Sequence, residues 1–91
     1  MHFEAHQTAA FIEIFNNSKQ AIRSMPGCQY LSLHQDHENP DVFYTLSKWN
    51  ADEDLQNYRN SKLFQDTWAA TKVLFAAKPQ AWSLDPMTEL P

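Results

Sequence analysis

The chain has 91 residues but a single glycine, Gly27, and a single cysteine, Cys28, side by side. One cysteine excludes an internal disulfide and fits a reducing compartment. The seven lysines and arginines form no cluster and the net charge is −4, which argues against a nucleic-acid or anionic-membrane surface. No apolar run is long enough to cross a bilayer. The N-terminus lacks both the basic start and the apolar centre of a signal peptide, so the sequence reads as soluble and cytoplasmic, with neither nucleic acid nor membrane as a partner. Rings are abundant instead: three Trp, three Tyr and six Phe. Hydrophobic residues make up 43%, too many for a disordered chain. A domain this short buries only about 60–65% of the surface its unfolded chain exposes. Its core is marginal, and association with a second chain would use the aromatic surplus.

From Gln7 to Ser24 the positions Phe11, Ile14, Phe15, Ile22 and Met25 recur at helical spacing, with Ser18 on the same stripe and Thr8 as the expected N-cap. Pro26 and Gly27 stop this helix: proline disfavours helical geometry in the residue before it, and glycine accepts the positive φ that turns the chain. Cys28–Gln35 then alternates, Leu31 and Leu33 against Tyr30, Ser32 and His34. A polar turn closes at Asn39-Pro40, and Val42–Trp49 reads as a second strand. One face of that strand carries Val42, Tyr44 and Leu46; the other carries Phe43, Thr45 and Trp49. A sheet wetted on one side would alternate cleanly, so both sides are expected to be covered. Asn50 and Glu53 resemble a capping box. Ser61 looks like a second N-cap that breaks the helical segment near Asn60, with a longer helix on Phe64, Trp68, Thr71 and Phe75. Lys78-Pro79 ends it, Ala81–Leu84 is expected to be a short strand, and residues 85–91 form a tail after a domain over 1–84.

Phe11, Phe15, Ser18, Ile22 and Pro26 share their spacing with Phe64, Trp68, Thr71, Phe75 and Pro79, and each run leads to a Ser-Leu pair. A proline-marked helix-to-strand corner used twice suggests a doubled β-α-β unit, the split βαβ or ferredoxin-like plan. That α+β plan, βαββαβ, needs a strand before the first helix. Only Met1–Ala5 is available, so His2-Phe3-Glu4 forms a stub of it or the natural chain begins further upstream.

"IRSMPGCQYLSL", "FYTLSKWNADEDLQNYRNSKLF" and "TWAATKVLFAAKPQAWSL" resemble the antibiotic biosynthesis monooxygenase (ABM) domains. The resemblance runs from about Phe11 to Leu84. It rests on Pro-Gly-Cys after the first helix, a tryptophan closing a strand, and Tyr-Arg-x-Ser-x-x-Phe in the helix beyond. It implies a ferredoxin-like protomer that pairs sheet to sheet as a dimeric α/β barrel, in agreement with the two-faced strands. It also implies, for catalytic members, oxygenation of electron-rich polycyclic phenols by molecular oxygen with no flavin, haem or metal, so no cofactor is expected. Other members degrade haem. In that branch a histidine follows the aromatic matched here by Tyr58, but Trp68 stands in its place and the asparagine of the first strand has no counterpart. Haem degradation is therefore disfavoured.

Trp49, Tyr58, Phe64 and Trp68, with Phe15, are the expected walls of a pocket for a small aromatic, with indole N–H and phenol O–H as its few polar handles. The same ring stripes also serve as ordinary core. For the cofactor-free reaction, Arg59, Tyr58 and Trp49 are the candidate donors to a substrate oxyanion, and His34 is the candidate base. Set against this, Arg59 also reads as a solvated side chain and His34 as a surface residue at a strand end. A metal site would draw on His2 and His6 or on His34, Asp36 and His37, but no cysteine pair supports it and none is expected. Cys28 has no basic neighbour in sequence to activate it. The leading expectation is a cofactor-independent monooxygenase acting on a small aromatic. The alternative is a non-catalytic dimeric barrel that binds an apolar ligand or serves a stress role.

Overall fold

Proline and glycine end the first helix where the spacing predicts. The structure, a computed structural model, describes residues 1–88 and Leu90. Helix α1 (Thr8–Arg23) buries Phe11, Ser18 and Ile22. The buried Ser18 hydroxyl donates to the Ile14 carbonyl at 2.8 Å, which satisfies it within its own helix. Thr8 is not the N-cap. A 3-10 turn over Ala5–Gln7 precedes α1 and makes Gln7 the cap, and the Thr8 hydroxyl points back to the Ala5 carbonyl instead. Gly27 takes φ +84°, and a Cβ there would run into the side chain of Asp54. That conformation costs an ordinary L-residue about 1–2 kcal/mol, which explains the placement of the only glycine. Arg23 ties down the corner by donating to the Cys28 carbonyl at 2.6 Å.

Strands β1 (Cys28–Gln35) and β2 (Phe43–Trp49) pair antiparallel. On one face Leu33 lies opposite Thr45 and Leu31 opposite Ser47; on the other, His34 lies opposite Tyr44 and Ser32 opposite Leu46. Their connection is held by Asp36, whose carboxylate accepts from the main-chain N–H groups of Glu38 and Asn39 at 2.9 and 3.0 Å. Those bonds, Glu38 foremost, hold the Asp36 carboxyl below its ordinary range.

The N-terminus adds a stub to the sheet. Met1 exchanges two main-chain bonds of 2.8 Å with Phe43, His2 bridges Val42, and on its other side Phe3 bridges Phe75. The sheet therefore runs β1, β2, stub, Phe75 segment, the ferredoxin-like arrangement with its first strand reduced to a few residues. The strand expected over Ala81–Leu84 does not form; no helix or strand is found from Ala76 to Thr88. Among the described residues the pairing of the Phe75 segment with the stub stops at Ala76, so the chain beyond it has no ladder partner.

Helices α2 (Asp52–Arg59) and α3 (Lys62–Lys72) are separate, as Ser61 suggested. The Ser61 hydroxyl accepts from the Phe64 N–H at 3.1 Å and donates to the Tyr58 carbonyl at 2.6 Å, so one side chain caps α3 and joins it to α2. The capping box at Asn50 and Glu53 is not made. Ala51 caps α2 in an extended conformation, and the Asn50 N–H is spent on the Gly27 carbonyl. Helix α3 stops before Phe75, whose neighbours Leu74 and Ala76 bond to the stub at Glu4 and His2. The doubled pattern still holds inside both helices: buried Thr71 donates to the Thr67 carbonyl at 2.7 Å as Ser18 does to Ile14.

Phe3, Phe11, Phe43 and Leu74 form the core, with Phe3 of the stub fully buried. The helices cover one face of the sheet: α1 packs on β1 and α3, and α2 on β2. The other face leaves Tyr30, Tyr44 and Leu46 41%, 48% and 45% exposed, an uncovered apolar surface of large side chains.

Candidate functional site

Strand periodicity puts Trp49 on the helix side of β2, and helix α2 presents Tyr58 to it. The two rings stack with centroids 5.2 Å apart. Tyr58 meets Phe64 edge-on at 5.2 Å, Phe64 stacks on Trp68 at 6.1 Å, and Trp68 meets Phe75 at 5.5 Å. Phe75 passes the chain of rings to Phe3 at 5.1 Å and Phe3 to Phe11 at 4.2 Å. Phe15 touches only that far end, 6.4 Å from Phe11. Trp49, Tyr58, Phe64 and Trp68 are therefore brought together, while Phe15 sits at the opposite end of the row.

Each candidate polar group has a definite setting. The Trp49 indole N–H donates to the Ser47 hydroxyl at 2.9 Å, so it is engaged within its own strand. Tyr58 lies inside the ring row, and its burial, with the Cys28 thiol nearby as a lesser cause, raises its phenol above the ordinary value of 10.0. It stays a neutral O–H donor at physiological pH. Arg59, one residue on, is exposed and has no hydrogen-bond or ion-pair partner among the described residues. His34 is elsewhere: it lies on the outer face of β1, with its Nε2 2.7 Å from the Ser32 hydroxyl. The sheet separates it from Trp49 and Tyr58.

Beside this row runs a cleft of about 1000 Å³, lined by β2, by Leu55 and Arg59 of α2, and by Trp82 and Leu84 of the C-terminal segment. Trp49 and Arg59 border it; Tyr58, Phe64 and Trp68 do not, because their faces are spent on one another. Ser47, Leu55 and Trp82 are not among the site residues expected from the sequence. Ser47 stands two positions from Trp49 and so on the same face, a signal that period-two alternation does carry. Among the described residues no three His, Cys, Asp or Glu side chains gather to hold a metal ion. The Cys28 thiol is free and buried.

Comparisons with known proteins agree with this geometry. The family model described as "Antibiotic biosynthesis monooxygenase" matches residues 1–70. A candidate antibiotic biosynthesis monooxygenase from Chloroflexus aurantiacus is similar at TM-score 0.80 and 25% identity, over 100% of this chain and 90% of that one. The crystal structure of an antibiotic biosynthesis monooxygenase superposes at TM-score 0.89 with 13% identity, over 96% and 92% of the two chains. Rv0793 from Mycobacterium tuberculosis gives TM-score 0.82 and 13% identity, over 96% and 91%. No curated protein sequence matches. With the family model spanning more than two thirds of its length, and the sheet order and helix placement described above, this chain belongs to the antibiotic biosynthesis monooxygenase (ABM) family.

Proposed function

We propose that this protein is a cofactor-independent monooxygenase acting on a small electron-rich aromatic. The observation that carries the reading is the meeting, at one end of the sheet, of a stacked Trp49–Tyr58 pair, the wide cleft and an Arg59 that has no partner among the described residues. A flat hydroxyaromatic suits such a border of rings and sparse polar groups. Arg59 and the Trp49 N–H, at the border of the cleft, are the first donors to the substrate oxygen as it gains negative charge, and Tyr58, stacked against Trp49, is proposed as a third on phenol chemistry alone. For the Trp49 N–H this means exchanging Ser47 for substrate. The deprotonated substrate carbon gives an electron to molecular oxygen, the two radicals join as a peroxide, and loss of water leaves a carbonyl. One CH₂ carbon and one O₂ thus yield one carbonyl and one water. His34 is proposed as the base on imidazole chemistry alone, since its outer-face position adds no support.

The protein acts in this reading as a homodimer in the cytoplasm. The exposed Tyr30, Tyr44 and Leu46 supply an apolar face for a second copy. No helix among the described residues is long and apolar enough to cross a membrane. A second reading draws on a different observation: the rings of Tyr58, Phe64 and Trp68 fill one another's faces and the Trp49 N–H is already bonded, which suits a barrel that binds an apolar ligand without turning it over. Oxygen uptake with a hydroxyanthrone-type substrate, with chelator present and no added cofactor, separates the two. Stoichiometric uptake with quinone formation supports the enzyme; tight binding without uptake removes it.

A further inference from the structure

Ser47 stands two positions before Trp49 on β2, so both side chains leave the strand on its helix side. An indole N–H is a donor and never an acceptor. In the 2.9 Å bond between the two residues the Ser47 oxygen therefore accepts, and its own proton takes no part. No acceptor for that proton is found among the described residues. The hydroxyls that build the fold behave differently: Ser18, Ser61 and Thr71 each donate to a main-chain carbonyl, at 2.8, 2.6 and 2.7 Å. Ser47 is also exposed, and it borders the cleft together with Trp49 and Arg59. The Trp49 ring is fixed by its stack on Tyr58, 5.2 Å away, whereas a hydroxyl proton turns about its C–O bond to suit whatever acceptor is near. An acceptor that enters the cleft thus meets an O–H already held at its oxygen by the indole. A hydroxyl that accepts one bond is a stronger donor in the next, by roughly 10–30% for each bond of a chain.

We propose that Ser47 is a substrate-binding donor whose O–H meets the oxygen of the hydroxyaromatic, with the Trp49 N–H behind it. The inference rests on the reading of the cleft as the site of that aromatic, and it adds a donor that has no bond to give up. The Trp49 N–H must exchange a partner before it reaches substrate; Ser47 need not. Its contribution falls mainly on the ionised substrate, because a hydrogen bond to a charged acceptor is about twice as strong as one between neutral groups. No proton passes to or from Ser47. It stabilises the negative charge on the substrate oxygen, the state from which an electron goes to molecular oxygen. It also sets orientation, since the oxygen-bearing edge of the ring then faces β2 at Ser47 and Trp49.

The test reads the ionisation of a bound, unreactive probe and so does not depend on turnover. 2-Hydroxyanthraquinone has no oxidisable CH₂ carbon, and its visible absorption changes when its phenol ionises. The whole protein at saturation is expected to make the probe more acidic. Ser47→Ala is expected to reverse that shift by about one pH unit and to weaken phenolate binding about tenfold, the loss of one bond to a charged acceptor. Ser47→Thr keeps a hydroxyl on a residue that suits a strand, and is expected to restore both. Position 47 is exposed, so neither change threatens the fold. The sign of the effect decides the matter. If Ser47 did no more than occupy the Trp49 N–H, Ser47→Ala would release that N–H and the phenolate would bind more tightly. Tighter or unchanged binding overturns the proposal, as does a threonine variant as weak as the alanine one. Failure of the underlying reading looks different. A wild-type protein that leaves the probe's titration unmoved removes the aromatic site and Ser47 with it. A shift that Ser47→Ala diminishes, without oxygen uptake from a hydroxyanthrone, supports Ser47 and removes only the oxygen chemistry.

Discussion

Tyr58 gathers more functions than any other residue here. Its ring joins Trp49 to Phe64, its carbonyl accepts from Ser61, and its half-buried phenol is one of the proposed donors. Burial lifts that phenol above 10.0, and the sign of the consequence is fixed. The folded chain keeps a proton that the unfolded chain releases, so this contribution to stability is complete below the ordinary value and is lost as pH rises through the raised one. An ultraviolet titration of phenolate is expected to show a late component above 10.0 that is absent from Tyr58→Phe. A titration identical in the two proteins would contradict the buried setting. The same neutrality suits a hydrogen-bond donor and not a base, which keeps Tyr58 and the proton acceptor as separate roles.

Ser61 governs how elements meet. By accepting from Phe64 and donating to Tyr58 it holds α3 to the end of α2, and so holds Phe64 against Tyr58. Ser61→Ala removes the cap, and urea unfolding is expected to show a loss of about 1 kcal/mol with an unchanged slope; no loss would mean that the helix junction is held by packing alone. This junction was legible in the sequence because a serine before a fresh helical stripe is a local signal. So were α1, its Pro26-Gly27 stop and the two faces of β2, each set by short-range periodicity or by one residue's backbone preference. The strand at Ala81–Leu84 was not, since a strand exists only where a neighbour offers a ladder, and the pairing with the stub, set by residues distant in sequence, stops at Ala76 among the described residues. The early end of α3 has the same origin: Leu74 and Ala76 bond to the stub across the sheet. At the candidate site, the ring residues were readable from spacing, whereas the engagement of the Trp49 N–H by Ser47 depends on side-chain orientation that spacing does not encode. The setting of His34 behind the sheet follows from its alternation with Leu33, a signal that the sequence carries.

At the scale of the molecule, the sheet is covered on one side only. On the helix side Phe43 is buried and Leu33 partly buried, while Tyr30, Tyr44 and Leu46 on the reverse remain in water at 41%, 48% and 45% exposure. A core this small gains much from covering that face, at roughly 25 cal/mol for each Å² of apolar surface removed from water. The proposed second copy does so without altering the helix side, where Trp49, Tyr58 and Arg59 lie. The whole account therefore requires a two-sided sheet, with helices on one face and another chain on the other. Sedimentation equilibrium at micromolar concentration tests this most directly. The account predicts twice the 10.6 kDa chain mass, and a species that stays at 10.6 kDa as concentration rises would contradict it.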